Sequence, residues 1–216
     1  MRDCIVWDFN GTLLDDMDAG VNSINVLLER HGLPCLPSKE IYREHFSFPI
    51  ENYYRALGFD VDGKGFDALA REWVPLYRAE MQNPRPRIGA SDAVCAFAER
   101  GYRQIVLSAS ERSLLLEQLA QIGLSCAFDE VLGLDNFYAH SKTEIGRNWR
   151  SQNPDGKLIM IGDTLHDAEV AEEIGAYCIL VAGGHQSKER LAEAGVPIVD
   201  DFPSLVAFVD RMQSVH

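Results

Sequence analysis

The stretch Cys4-Ile5-Val6-Trp7-Asp8-Phe9-Asn10-Gly11-Thr12 decides how the chain is read. Four apolar residues run straight into an acid and then a glycine, which predicts a short strand buried on both faces of a parallel sheet. Asp8 then stands at the strand's carboxyl end. Open α/β sheets bind ligands outside the carboxyl ends of their strands, so polar residues at that point are candidates for chemistry.

Outward from this stretch the pattern returns. Ile105-Val106-Leu107 leads into Ser108-Ala109-Ser110, Leu158-Ile159-Met160-Ile161 leads into Gly162-Asp163-Thr164, and Cys178-Ile179-Leu180-Val181 is a fourth apolar run. Helical patterns lie between them: Val94, Phe97 and Ala98 share one face, and Leu115, Leu119 and Ile122 another. Gly101 and Gly123 follow where helices end, and further helices are expected over 187–195, closed by Gly195, and over 203–213, from Pro203. Alternating strands and helices predict an α/β fold with a doubly wound parallel sheet, and the loops at 8, 108 and 163 should line one crevice.

Residues 16–86 break the alternation and read as helices alone. Val21, Ile24 and Leu28 form one stripe ending at His31-Gly32, and two later helical stretches follow Pro49 and Gly65. The stiff Asn83-Pro84-Arg85-Pro86 marks the far edge. We expect a helical insertion at 16–86 and a catalytic core made of 1–15 plus 87–216.

Composition narrows the partners. A net charge of −13 opposes a surface for nucleic acid, which binds through Lys and Arg neutralising successive phosphates. A small anion is still admissible where a bound cation inverts the local field. The opening residues 1–12 hold one short apolar run that ends in an acid, so we expect neither a secretory leader nor a membrane span there. Cys4, Cys35, Cys95, Cys126 and Cys178 are odd in number, widely spaced and mostly flanked by apolar residues, so we expect buried free thiols in a cytoplasmic protein. Oligomeric state cannot be read from one sequence.

Asp8-x-Asn10-Gly11-Thr12 resembles the first motif of the haloacid dehalogenase superfamily. Ser108 after its strand is similar to the second motif, Lys142 to the third, and Gly162-Asp163-Thr164-Leu165-His166-Asp167 to the fourth. The resemblance covers the whole chain in the right order and implies a Rossmann-like core with a helical cap. Gly183-Gly184-His185-Gln186-Ser187 with Glu189-Arg190-Leu191 is similar to the tail of phosphoglycolate phosphatase-like members. The implied activity is a phosphatase acting on a small phosphorylated metabolite through an aspartyl-phosphate.

The residue types suit that chemistry. A carboxylate nucleophile at Asp8 splits phosphoryl transfer into two steps. Mg²⁺ would remove the repulsion between Asp8 and phosphate, held by oxygen ligands from Asp8, Asp163, Asp167 and, by the family's pattern, the Asn10 carbonyl. Lys142 supplies a positive point charge, while Ser108, the amide beyond it at Ala109 and Thr12 would position phosphate oxygens. In the insertion, Arg43, His45, Phe46, Phe48, Asn52 and Arg55 are candidates for substrate choice, Arg43 and His45 foremost. Taken singly, Asp8 reads as a strand-end cap, Ser108 as a turn residue, Lys142 as a solvated cation, and Asp163 and Asp167 as helix-start acids. Those plainer readings do not explain the set occurring in this order after successive buried strands.

One position departs from the pattern. Superfamily phosphatases carry Asp two residues after the nucleophile as general acid and base, whereas this chain has Asn10, whose amide exchanges no proton near neutral pH. Alkyl phosphate hydrolysis should be slower by roughly 10²–10⁴-fold than with Asp there, favouring good leaving groups unless another residue stands in, with Asp15 and Asp16 near in sequence. A catalytically weak phospho-ligand-binding or regulatory protein of the same fold is the alternative. Receiver domains share the Asp, Ser/Thr and Lys set but are much shorter and lack a cap.

Overall fold

The computed structural model describes residues 2–62, 65–134 and 141–213. Residues 1, 135–140 and 214–216 of the expected core and 63–64 of the expected insertion lie outside them. The strand that opens the chain, β1 (Cys4–Trp7), is wholly buried and central to a six-stranded sheet. The other strands are β2 (Arg103–Glu111), β3 (Glu130–Leu134), β4 (Leu158–Gly162), β5 (Tyr177–Val181) and β6 (Ile198–Val199). Their order is β3-β2-β1-β4-β5-β6, and every pairing is parallel.

This order puts the switch in winding direction between β1 and β4, which is where an open parallel sheet forms its ligand crevice. Trp7 is level with Val106 of β2 and with Ile161 of β4. The loops that follow β1 and β4 therefore leave the sheet side by side, next to the last residues of β2.

Successive residues of β1 point to opposite faces, and both faces are covered. Ile5 and Trp7 join an apolar cluster with α5 (Ala90–Glu99), α6 (Arg112–Gln121) and α10 (Phe202–Gln213). Cys4 and Val6 face α7 (Lys142–Gln152), α8 (Leu165–Ile174) and α9 (Lys188–Leu191). Trp7 packs its ring 5.8 Å from Phe97 and 6.4 Å from Phe202, and its indole N–H donates to the Gln104 side chain at 2.9 Å.

Residues 17–80 hold α1 (Met17–Arg30), α2 (Lys39–His45), α3 (Ile50–Ala56) and α4 (Gly65–Glu80), and no strand among the described residues. They share their own apolar cluster around Val21, Ile24, Leu27, Tyr42, Tyr53 and Leu69. The two links to the core lie against each other: the amide of Asp15 donates to the carbonyl of Arg85 and that of Arg87 to Leu13, each at 2.9 Å. The Pro-rich stretch is thus one side of a paired crossing.

Some expectations need correcting. Helix α2 was not foreseen, although Ser38 caps it by accepting from the amide of Ile41. Ala98 is exposed, because the apolar face of α5 runs through Ala90, Ala93, Val94 and Phe97. Only Cys4 and Cys178 are buried thiols; Cys35 and Cys126 sit in loops and Cys95 on the outer face of α5, all three exposed. Among the described residues no helix is long and apolar enough to cross a membrane.

Phe97 has no exposed surface. Phe97→Ala is expected to lower the unfolding free energy by roughly 3–5 kcal/mol through lost burial and the cavity left under Trp7. Denaturant titration checks this, and a loss under about 1 kcal/mol would show that the face can collapse.

Candidate active site

Asp8 leaves β1 with its amide donating to the carbonyl of Ile161 at 2.8 Å, so the first loop is tied directly to β4. Lys142, the first residue of α7, is buried and turned inward behind a Ser141 cap. Its ammonium lies 2.5 Å from Asp8 Oδ1 and 2.5 Å from Asp167 Oδ1. Asp167 sits in the first turn of α8, where its other oxygen accepts from the amides of Asp163 and Thr164 and from the Thr164 hydroxyl. It therefore caps its helix and orients Lys142 at once.

Asp8, Asp163 and Asp167 offer carboxylate oxygens that all lie within 4.8 Å of one another, and all three residues are buried. Burial drives the Asp8 carboxyl well above its ordinary range, against the pull of Lys142 and with the push of Asp167 and Asp163. Burial likewise raises Asp163. Burial works against the Asp167 charge too, but Lys142 overrides it and holds that carboxyl low. Lys142 loses by desolvation and gains more from Asp167 and Asp8, so its pKa is raised and it stays an ammonium. Three carboxylates facing one ammonium, with oxygen donors only, fit a hard divalent cation.

Glycines make this approach possible. A Cβ at Gly184 would lie 2.2 Å from Asp163 Oδ2. One at Gly11, which takes the left-handed φ of +71°, would lie 2.4 Å from the same oxygen. The Asp163 carboxylate is held between these two loops: Thr12 donates its hydroxyl to one oxygen at 2.8 Å, and the amide of His185 to the other at 2.6 Å.

Beside this hollow lies a second polar cluster that sequence reasoning did not assemble. His185 Nδ1 is 2.8 Å from the Tyr42 hydroxyl and Nε2 is 3.1 Å from Asp16 Oδ1. Desolvation opposes charge on His185, yet Asp16 overcomes it and carries the imidazole up to about 9. Desolvation opposes the Asp16 charge as well, and His185, Asn10 and Tyr77 together still lower its pKa. The Asn10 amide nitrogen donates to Asp16 Oδ2 at 2.8 Å and the Tyr77 oxygen lies 3.0 Å from it, while its side-chain oxygen Oδ1, distinct from the main-chain carbonyl, accepts from Ser110 at 2.7 Å. Arg87 was also missed; it donates to the carbonyls of Gly11 (2.7 Å) and Ala182 (2.6 Å), bracing the first loop against the loop that carries His185. A lone Tyr or Arg on a helix or linker carries no motif, so only the fold could bring these in.

The remaining candidates fall in different places. Ser108 was expected in a loop but lies inside β2, which runs on to Glu111; it is buried and accepts from the amide of Ser110 at 3.0 Å, with Ala109 half-buried beside it. Arg43 is turned to the core, donating to the carbonyls of Gly184 (3.0 Å) and Gly183 (3.2 Å). His45 is exposed in the last turn of α2. Phe46 stacks on His185 at 4.8 Å and Phe48 on His166 at 4.9 Å, so these rings pack the helical layer onto the core. Arg55 pairs with Asn52 at the surface.

With this geometry in place, the family description "haloacid dehalogenase-like hydrolase" matches residues 5–181. The chain belongs to that family. Among its relatives is a phosphoglycolate phosphatase of Caulobacter vibrioides, 24% identical over 204 residues that cover 90% of this chain and 85% of the relative. The fold of this haloacid dehalogenase-like hydrolase matches a family member from Streptococcus pneumoniae with a TM-score of 0.82 at 19% identity, covering 96% and 98% of the two chains. It also matches a CbbY variant from Rhodobacter sphaeroides solved with xylulose-1,5-bisphosphate, with a TM-score of 0.71 at 18% identity over 94% and 95%.

Gly184→Ala should drive Asp163 from its seat and weaken the uptake of a divalent cation, read by calorimetry, by about 10–100-fold; unchanged affinity would contradict the close approach. The His185 proton is held more tightly in the folded chain, so its stabilisation is full below pH 6.5 and is lost as pH rises through about 9. The gap in Tm between the metal-free chain and its His185→Gln variant should therefore narrow over that interval, and a constant gap would speak against the ion pair.

Proposed function

We propose that this hydrolase is a magnesium-dependent phosphatase that cleaves a small phosphorylated metabolite through a phosphoaspartate on Asp8. The observation that supports this is the meeting of Asp8, Asp163, Asp167 and Lys142 in one buried hollow at the switch between β1 and β4. In the first step an Asp8 oxygen bonds to phosphorus while the bond to the leaving oxygen breaks and its electrons depart with that oxygen. In the second, water attacks the same phosphorus, returning the Asp8 carboxylate and releasing inorganic phosphate.

Lys142 holds its charge against the nucleophile and so orients it. The Ser108 hydroxyl and the Ala109 amide would bind oxygens of the transferring group, and Thr12 acts one step back by fixing Asp163. Mg²⁺ on Asp8, Asp163, the Asn10 carbonyl and, directly or through water, Asp167 would supply the positive charge that lets an anionic nucleophile meet an anionic phosphate. Asn10 has no proton to give the leaving oxygen, and its amide is already committed to Asp16 and Ser110. Good leaving groups are therefore favoured.

The relatives bear on the substrate class: one is a phosphoglycolate phosphatase, and a structural neighbour was solved with a sugar bisphosphate. A compact phosphorylated acid or sugar is the matching class here. Residues 16–86 would form the cap that meets the non-phosphate part, over a core of 1–15 and 87–216. Exposed free thiols at Cys35, Cys95 and Cys126 suit the reducing cytoplasm.

Phosphate release from an aryl phosphate in Mg²⁺ should exceed that from an alkyl phosphate by about 10² or more, the scale of missing general acid catalysis. Asp8→Ala and metal chelation should each abolish it. Release that survives Asp8→Ala would overturn the proposal, as would equal turnover of the two esters the leaving-group bias.

A further inference from the structure

Asp16 occupies the cap position just before α1, where an Asp ordinarily accepts from the first helical amides. It makes no such bond. Its side chain turns back, 2% exposed, and gathers donors from the core and the helical layer together. Oδ1 accepts from the amide of Gly11 at 2.8 Å and faces His185 Nε2 at 3.1 Å. Oδ2 accepts from Asn10 Nδ2 at 2.8 Å and from the Tyr77 hydroxyl at 2.8 Å.

A carboxylate with four such neighbours only accepts, so the side chain at position 10 has to present a donor. Asn10 does so with its nitrogen, and its oxygen is then aimed at the Ser110 hydroxyl. A carboxylate in its place would set two anionic oxygens about 2.8 Å apart inside a buried site. An acid there would have to share a proton with Asp16 to keep the contact, so the amide is matched to the acid six residues on and is not merely an acid lost.

We propose that Asp16 is a positioning residue for the phosphoryl transfer: its carboxylate requires an amide at position 10, and together the pair fixes the loop behind the nucleophile and ties it to Tyr77 of α4. This rests on the reading of Asp8 as the nucleophile. The consequence is that positions 10 and 16 work as a matched pair, and that restoring an acid at position 10 alone does not improve the enzyme.

The test is a cycle of the full chain with Asp16→Asn, Asn10→Asp and the double variant, measuring kcat and KM on an aryl phosphate with Mg²⁺, and Tm without it. Asn10→Asp alone should lose at least about tenfold in kcat with KM changed less, the scale on which contacting side chains couple, and should melt lower. Adding Asp16→Asn should recover most of both, because the swapped pair again sets an amide against a carboxylate. The proposal is overturned if Asn10→Asp alone matches or exceeds the original chain, or if Asp16→Asn adds its own loss without rescue. Should the original chain show no Asp8-dependent turnover, the functional reading fails and the role in turnover with it; the melting cycle then still decides the pairing.

Discussion

Everything in the site depends on three carboxylates being forced together in a place with little water. Asp8, Asp163 and Asp167 repel one another, and Lys142, the one ammonium set among them in the described residues, offsets about a third of their charge. Such a cluster is tolerable because each acid is held by more than its charge: Asp8 by the backbone bond to Ile161, Asp163 by Thr12 and His185, Asp167 by the start of α8. The residual negative potential would draw a hard cation, and a cation there would let a phosphate enter. The acidity of the whole chain is no obstacle, since the field that matters is set within a few ångströms.

The second polar cluster ties this centre to the helical layer. Asp16 and Tyr77 come from one side and Gly11, Asn10 and His185 from the other, while Tyr42, Arg43 and Phe46 bring α2 and its trailing segment down onto the 183–186 loop. The loop carrying Asp8 is thus held between two layers. A substitution far out in the helical layer that moved Tyr42 or Tyr77 would be felt at Asn10 through bonds, without any change in Asp8, Asp163, Asp167 or Lys142.

Much of this was legible in the chain. The buried parallel strands announce themselves as unbroken apolar runs, and the acids, serine and lysine follow in fixed order, so β1, β2, β4, β5 and the four catalytic candidates could be placed. What escaped did so for physical reasons. Strand β3 lies at the sheet edge and is only half-buried, and β6 is two residues long, so neither carries an apolar run. Asp16 looks like a helix-start acid, since a cap and a buried ligand to its own loop have the same spelling. Arg43 reads as a candidate for substrate choice, yet its guanidinium is taken by two main-chain carbonyls that no side-chain pattern reveals.

A crystal structure of the chain with Mg²⁺ and trifluoroberyllate, an acyl-phosphate mimic, tests the central claim most directly. Beryllium should be bonded to a carboxylate oxygen of Asp8, with the metal ion between Asp8 and Asp163 and the Lys142 ammonium against a fluoride. A mimic seated elsewhere, or a metal that avoids Asp163, would contradict it.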